Sequence, residues 1–215
     1  MRIAIFSDVH ANLPALESFV KETRPSVDAY ICLGDVVNYG PWNDECLELI
    51  HSLPGIVLLE GNHERLFLGK DTIDNEIPMI KEFFGKSFQY FSRHELITSL
   101  PSSFELDSYL CIHTINNKNV YPDTKISPAR NYIIGHTHHQ FEIRSGNGIL
   151  INCGSIGQNR GNISKISYLL YNMGSGHIQF CEHPYPIRTL LQELIRRNYP
   201  RVCIDYYTNK MMTST

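Results

Sequence analysis

The chain has 215 residues, 42% hydrophobic and 19% charged, enough to bury one sizeable core without disulfide staples. Its net charge of −3 supplies no basic excess, which excludes a strong nonspecific grip on nucleic acid or on an anionic membrane. No apolar stretch approaches the ~20 residues of a membrane span.

Residues 3–6 are an apolar run that predicts a strand. Residues 14–22 predict a helix, with Pro14 in its first turn and Asn12 or Leu13 at the cap. A strand follows at 29–33, a helix at 42–52 with Cys46, Leu49 and Ile50 at helical spacing, and a strand at 56–59. This alternation predicts a parallel sheet with right-handed crossovers. Residues 78–94 carry Ile80, Phe83, Phe84, Phe88 and Phe91 on one broad helical face. Hairpins come next. Strands at 104–106 and 109–113 flank Asp107-Ser108, those at 141–144 and 149–152 flank Gly146-Asn147-Gly148, and those at 166–171 and 177–182 flank a Gly-containing turn. A helix at 187–197 closes the fold, and 209–215 read as a frayed end. Two sheets are expected, each partly covered by helices.

Six cysteines (Cys32, Cys46, Cys111, Cys153, Cys181 and Cys203) form no Cys-x-x-Cys pair and read as reduced structural thiols. The opening Met1-Arg2-Ile3-Ala4-Ile5-Phe6 is too short for a secretory core. Both features lead to the expectation of a cytoplasmic protein.

The strand ends carry the chemistry. Asp8 and His10 follow the first strand at i and i+2, a spacing that in extended backbone puts both side chains on one side. Gly34-Asp35 ends the second strand and Gly61-Asn62-His63-Glu64 the third. Ligands of open parallel sheets bind beyond the carboxyl ends of the strands, so Asp8, His10, Asp35, Asn62 and His63 gather at one edge. An Asp after one strand is ordinarily a turn former or a cap; three successive strands ending in metal-capable groups are not explained that way. The second half repeats the pattern with His113 after residues 109–112 and Gly135-His136-Thr137-His138 after 132–134. His51, His94, His139, His177 and His183 lack such a context and read as structural or solvated.

In this order the blocks Asp8-x-His10, Gly34-Asp35, Gly61-Asn62-His63-Glu64, His113 and Gly135-His136-Thr137-His138 resemble the calcineurin-like metallophosphoesterases. Within that superfamily, residues 31–50 and 152–160 look like the small phosphodiesterases of the YfcE-like group. Glu64 stands where the family usually has Asp, Thr114 where it has Gly, and Cys153 where it has Pro. The resemblance implies two divalent ions, of manganese, iron, zinc or nickel. One would be held by Asp8, His10 and His138, the other by Asn62, His113 and His136, with Asp35 bridging them through its two oxygens. It also implies a metal-bridging hydroxide as nucleophile and His63 as general acid. Neutral Asn62 leaves the centre a net positive charge that attracts phosphate; a third carboxylate would cancel it. Asn12 is a candidate phosphate contact with helix capping as its equal alternative, and Arg160 a candidate bidentate phosphate clamp with a plain surface arginine as its alternative. Tyr39 reads as a turn residue more than as a stacking platform.

The expectation is therefore an α/β (α+β) fold, a four-layer αββα sandwich of two mixed β-sheets flanked by helices. It forms a single domain over residues 1–215, with 65–100 as a helical cap insertion. The expected activity is metal-dependent hydrolysis of a phosphoester substrate, a diester ahead of a monoester or phosphoprotein. A non-catalytic binding scaffold of the same fold is the lesser alternative, disfavoured because a scaffold has no need of His63. A His-x-His barrel hydrolase would need eight strand-helix repeats, which the hairpins contradict. Oligomeric state is left open.

Overall fold

The computed structural model describes residues 1–213. In chain order its elements are β1 (Arg2–Phe6), α1 (Leu13–Thr23), β2 (Ala29–Cys32), α2 (Asn43–His51), β3 (Val57–Leu58), α3 (Asn62–Phe67) and α4 (Pro78–Phe88). Then come β4 (Ser103–Leu106), β5 (Tyr109–Ile112), β6 (Asn131–Ile134), β7 (Gln140–Ser145), β8 (Gly148–Cys153), β9 (Lys165–Asn172), β10 (His177–Pro184), α5 (Ile187–Arg196) and α6 (Arg201–Thr213). Two mixed five-stranded sheets result, ordered β10-β9-β1-β2-β3 and β4-β5-β6-β8-β7. The strands β1, β2 and β3 are parallel in the first, and β5, β6 and β8 in the second. This is the α/β sandwich expected.

Side-chain alternation explains why the sheets face each other. On β1, Ile3 and Ile5 enter the core between the sheets, while Ala4 and Phe6 enter the core beneath the helices. A strand buried on both faces has no polar side, which is why residues 3–6 read as a continuous apolar run. Ile31, Leu33, Leu169 and Tyr171 join Ile3 and Ile5 against Cys111, Ile133, Ile151 and Cys153 of the second sheet. On the helical side Phe6 meets Phe19 of α1 at 4.5 Å between ring centroids. The outer face of the second sheet, with Ile134 and Leu150, is covered by Val120, Ile115 and Ile126 of the β5–β6 connection, while the helices serve the first sheet. All six cysteines are buried and unpaired. No helix among the described residues is long and apolar enough to cross a membrane.

Three helical boundaries differ from the sequence reading. The helix expected over 78–94 stops at Phe88, because the carboxylate of Asp44 on α2 takes the N–H groups of Ser92 (3.0 Å) and Arg93 (3.3 Å), diverting them from a helical ladder. Asn62 and His63, expected in a loop, open α3. The end read as frayed is helical through Thr213, with residues 214–215 outside the described part. Its signal was the Asn198-Tyr199-Pro200 stop and restart: Asn198 adopts a left-handed φ of 55° that ends α5, and Cys203 and Tyr207 are buried one helical turn apart.

Phe83 of α4 is fully buried, with its ring 4.8 Å from Tyr39, 5.8 Å from Tyr206 and 6.1 Å from Tyr207. Phe83→Ala should cost about 3–5 kcal/mol in urea unfolding, against about 0.5 kcal/mol or less for Ile77→Ala, whose side chain is 56% exposed. Equal losses would show that α4 is not anchored by that ring.

Candidate metal centre

The site lies where the parallel strands of both sheets end. Asp8 and His10 follow β1, Asp35 follows β2, Asn62 and His63 begin α3, His113 follows β5, and His136 and His138 follow β6. These residues were expected to gather at the carboxyl ends of the strands, with Asp8 and His10 brought to one side by extended backbone. They do gather there, but not through extended backbone: Asp8 (φ 55°), His10 (50°), Asp35 (55°), His136 (69°) and His138 (61°) are all left-handed. For residues other than glycine such strain costs about 1–3 kcal/mol each and survives only where the surroundings enforce it. Here the loops enforce it on one another. Asp8 N–H donates to Gly34 O at 3.0 Å, His10 N–H to Asp35 O at 3.1 Å, and Gly157 N–H to Asp8 O at 2.9 Å. Gly34 (φ 102°) cannot carry a side chain, since a Cβ would fall 2.5 Å from the Gly61 nitrogen. At Gly135 a Cβ would meet the Ser7 hydroxyl at 2.3 Å and block the approach of the two sheets.

The two aspartates are anchored alike. Asp8 Oδ2 accepts the His136 N–H at 2.9 Å, and Asp35 Oδ1 accepts the His63 N–H at 2.9 Å. Each then has one oxygen turned to the site. Asp35 Oδ2 lies 3.2 Å from His113 Nε2 and 3.8 Å from His63 Nε2. Asp8 Oδ1 lies 3.3 Å from His138 Nε2 and 3.8 Å from His10 Nε2; it is buried and lacks a hydrogen-bond partner among the described residues.

Tautomers make that orphan informative. His10 Nδ1 faces Val37 O at 3.4 Å and His138 Nδ1 faces Gln158 O at 3.2 Å. A carbonyl oxygen only accepts, so both Nδ1 atoms carry hydrogen and both Nε2 atoms are bare. Those bare nitrogens lie 3.0 Å apart beside the orphaned Asp8 oxygen. Burial, together with the charges of His138 and His63, holds His10 well below the ordinary imidazole range, which keeps its Nε2 free of a proton. Three lone-pair donors facing one another fit a cation. A second group, Asn62 Oδ1, His113 Nε2, His136 Nδ1 and Asp35 Oδ2, is equally tight: Asn62 lies 2.9 Å from each imidazole nitrogen, and His113 Nε2 lies 3.2 Å from both His136 Nδ1 and Asp35 Oδ2. His113 Nδ1 donates to Leu33 O at 3.0 Å, and His136 Nε2 donates to Asn119 Oδ1 at 2.7 Å, so His136 Nδ1 faces inward bare and His113 Nε2 faces inward as the atom that gives up its proton to a metal. Six-coordinate ions with ligands about 2.1 Å away separate neighbouring donors by roughly 3 Å, so these groups fit divalent ions as they stand. Two further effects act on the imidazoles. Burial and His113 push His136 down to about 4. Burial works against the charge of His113 but is overcome by the Asp35 charge and hydrogen bond, which raise it to about 9.

His63 has the opposite tautomer. Asn38 Oδ1 accepts the Tyr39 N–H at 2.7 Å, which turns the amide Nδ2 toward His63 Nδ1 at 2.9 Å. The His63 hydrogen therefore sits on Nε2, the atom facing Asp35 and the site. Sequence reading missed Asn38, seen only as part of a turn. It also missed what Glu64 does. The Glu64 carboxylate, fully buried, accepts N–H groups from Asp35 (2.7 Å), Val36 (2.7 Å), Val37 (3.2 Å) and Gly61 (2.9 Å). It ties the end of β2 to the start of α3, at the position flagged above as differing from the family pattern.

A cavity of ≈ 610 Å³ opens over these groups, lined by Asp35, Asn62, His63, His136 and His138 together with Tyr39 and Arg160. His139, read above as structural or solvated, lines it too. Glu76 and Ile80 bring the 65–100 segment to its wall, and Lys210 brings α6. Asn12 takes the capping role: Oδ1 accepts the Ala15 N–H at 3.3 Å, Nδ2 donates to Gly157 O and Tyr185 Oη at 3.0 Å each, and the residue is fully buried away from the cavity lining.

A two-sheet sandwich with His and Asp side chains gathered at its parallel strand ends is built to hold metal ions. The chain belongs to the calcineurin-like phosphoesterase family, whose sequence model matches residues 1–166. It is 28% identical to an uncharacterised protein of Methanocaldococcus jannaschii over 92% of this chain and 93% of that one. The crystal structure of a metallophosphoesterase from Sphaerobacter thermophilus is 25% identical, with a TM-score of 0.78 over 100% of this chain and 99% of that one. A hypothetical protein of Pyrococcus horikoshii shares the fold at 15% identity, with a TM-score of 0.83 over 96% and 97%.

Metal addition to chelator-treated protein should raise the melting temperature by roughly 5–10 °C at 100 times the dissociation constant, and His138→Ala should lose much of that gain. Because His113 holds a proton up to about 9, metal uptake at pH 7 should release about one proton, and affinity should rise with pH toward 9. Calorimetry in buffers of different ionisation enthalpy reads the proton; unchanged melting with manganese, zinc and iron would refute the centre.

Proposed function

We propose that this chain hydrolyses phosphodiesters at a dinuclear centre, one divalent ion held by Asp8, His10 and His138, the other by Asn62, His113 and His136. Asp35 is the ligand they share. Asp35 Oδ1 accepts the His63 N–H and Oδ2 lies 3.2 Å from His113 Nε2, so its carboxylate would serve the second ion directly and lies within reach of His10 for the first. When bound, such a pair supplies a water-derived nucleophile at neutral pH and neutralises charge on the phosphoryl oxygens. The observation that carries the reading is the bare Nε2 pair of His10 and His138 beside the orphaned Asp8 oxygen.

The protein's own part is to position and to move a proton. His63 presents Nε2–H because Asn38 fixes its tautomer. Burial lowers its proton affinity, partly offset by Asp35; a phosphate anion arriving beside it favours the imidazolium again, which forms as the Asn38 amide releases Nδ1. It then protonates the departing oxygen from Nε2. A non-catalytic scaffold would need neither this tautomer nor Asn38.

The diester preference rests on a second cavity of ≈ 710 Å³, which shares Asn62, His136 and Glu76 with the first. The candidate ligands thus sit between two spaces, one for each ester substituent; a monoester fills only one. The 65–100 segment acts as the cap, narrowing both spaces through Glu76.

His63→Ala should retain both metals yet slow alkyl or nucleoside phosphodiesters by roughly 10²–10⁴-fold, and bis-p-nitrophenyl phosphate far less, since p-nitrophenolate leaves without a proton. Equal loss on both, with metal depleted, would reassign His63 as a ligand. Asp35→Asn should lower metal content toward one ion or none, whereas His138→Ala should lose mainly one. Two tightly held ions in Asp35→Asn, by elemental analysis, would contradict the shared ligand. Faster turnover of monoesters than of diesters in the manganese-loaded wild type would replace the diester preference with a phosphatase reading.

A further inference from the structure

The candidate ligands differ in what holds them from behind. Main-chain carbonyls take the Nδ1 hydrogens of His10, His138 and His113, at 3.4, 3.2 and 3.0 Å. Main-chain N–H groups take one oxygen each of Asp8 and Asp35, both at 2.9 Å. His136 is held by a side chain instead: its outer nitrogen, Nε2, meets Asn119 Oδ1 at 2.7 Å. Exposure differs too. His10, His138 and His113 are buried, whereas Asn119 is exposed at the wall of the ≈ 610 Å³ cavity.

Asn119 is nevertheless firmly placed, because both ends of its loop between β5 and β6 are tied. At one end Thr114 Oγ1 donates to Lys118 O at 2.5 Å, and Lys118 N–H to Ile115 O at 3.0 Å. These bonds close a turn over Asn116 and Asn117, both left-handed (φ 52° and 54°). A glycine at position 114, the usual residue of the family, has no hydroxyl to give. At the other end Val120 is buried with Ile134 and Leu150, and its carbonyl accepts from Thr137 Oγ1 at 2.8 Å. Thr137 stands between His136 and His138, and the buried Asn152 donates through Nδ2 to Thr137 Oγ1 at 3.0 Å and to Gly135 O at 2.7 Å. A hydrogen-bonded chain therefore runs from Asn152 through Thr137 to the residue after Asn119, and the amide and the imidazole it meets are built on one frame.

His136 Nδ1 is the atom that faces Asn62 Oδ1 and His113 Nε2. To offer it bare to a cation, a neutral imidazole carries its hydrogen on Nε2. On this exposed side water competes for that hydrogen; an acceptor fixed in place also fixes the orientation of the ring. We infer that Asn119 is a positioning residue for the second ion. It holds His136 as the Nε2–H tautomer, and so sets the affinity of the group Asn62, His113 and His136 separately from that of Asp8, His10 and His138. The inference rests on the dinuclear reading above. One ion is then adjustable from a surface loop, while the other, enclosed by main chain, is not.

Calorimetric titration of chelator-treated protein with manganese tests it. Wild type should show two binding events. Asn119→Ala should weaken one of them by roughly 10- to 100-fold and leave the other within threefold. Asn119→Asp, which keeps an acceptor oxygen in the same place, should restore the weakened event to within threefold of wild type. Lys118→Ala, the neighbouring change on the same loop, should alter neither. Proton–nitrogen correlation spectra of the metal-free imidazoles are the second readout: His136 should be a single Nε2–H tautomer in wild type and Asn119→Asp, and a mixture in Asn119→Ala. Two unweakened events in Asn119→Ala, equal weakening of both, or no recovery in Asn119→Asp overturns the positioning role. A wild type that binds a single ion removes the dinuclear reading and leaves the positioning role standing if the tautomer mixture appears in Asn119→Ala; an unchanged tautomer there removes the role as well.

Discussion

Atoms that repel one another are held together at the centre of this protein. Bare imidazole nitrogens of His10 and His138 face each other at 3.0 Å beside an unpartnered carboxylate oxygen, and all three residues are buried. Left alone, such groups would turn away or take up protons. The fold prevents both. Backbone carbonyls of Val37, Gln158 and Leu33 occupy the outer nitrogens of His10, His138 and His113, while backbone N–H groups of His136 and His63 occupy the outer oxygens of Asp8 and Asp35. These five ligands are each fixed by a main-chain group on the far side, and His136 by the Asn119 amide oxygen, so a cation finds the donors already arranged.

The force that holds this arrangement comes from packing and from Glu64. Left-handed backbone at five candidate ligands is tolerable only if the loops cannot relax. Glu64 locks two of them by gathering four N–H groups onto one carboxylate. Burial and the Asp35 charge push its proton affinity up to about 7, so the four donors are needed to keep it an acceptor near neutral pH. The longer Glu chain, where the family usually has Asp, reaches from the first turn of α3 across to three successive amides after β2. Tyr39 adds a packed connection: its ring lies 4.8 Å from His10, 5.3 Å from His63 and 4.8 Å from Phe83. The helix α4 thereby braces the imidazoles, although Phe83 touches none of them in these pairings.

Much of this was legible from sequence, for a physical reason. Strands that end in Asp, His or Asn place those groups at the carboxyl edge of a parallel sheet whatever the loop geometry, so Asp8, Asp35 and His113 could be located before their backbone was known. The ten strands were readable because hairpin turns such as Gly146-Asn147-Gly148 and double-faced apolar runs such as residues 3–6 declare themselves locally. What stayed hidden depends on partners far away in the chain. The left-handed φ values follow from hydrogen bonds between loops. The stop at Phe88 follows from Asp44, more than forty positions earlier in the chain. Asn38 acquires meaning only once His63 lies against it. Asn12 had two readings of equal standing, and only the positions of Gly157 and Tyr185 separate them.

The helix α6 shows how a shared centre and an individual cavity divide along the chain. The groups that face one another lie at or before His138, inside the region matched by the family. Lys210 lies outside it, yet lines the same cavity because Phe83 and Tyr207 pack α6 against α4. A centre built from strand ends cannot vary much, since moving one ligand disturbs the carbonyl or amide that fixes its neighbour. A terminal helix seated on an aromatic cluster is under no such constraint: its exposed face can change residue by residue while Cys203 and Tyr207 stay buried. The strand ends therefore set the chemistry, and the helix beside them sets the shape and charge of what can reach it.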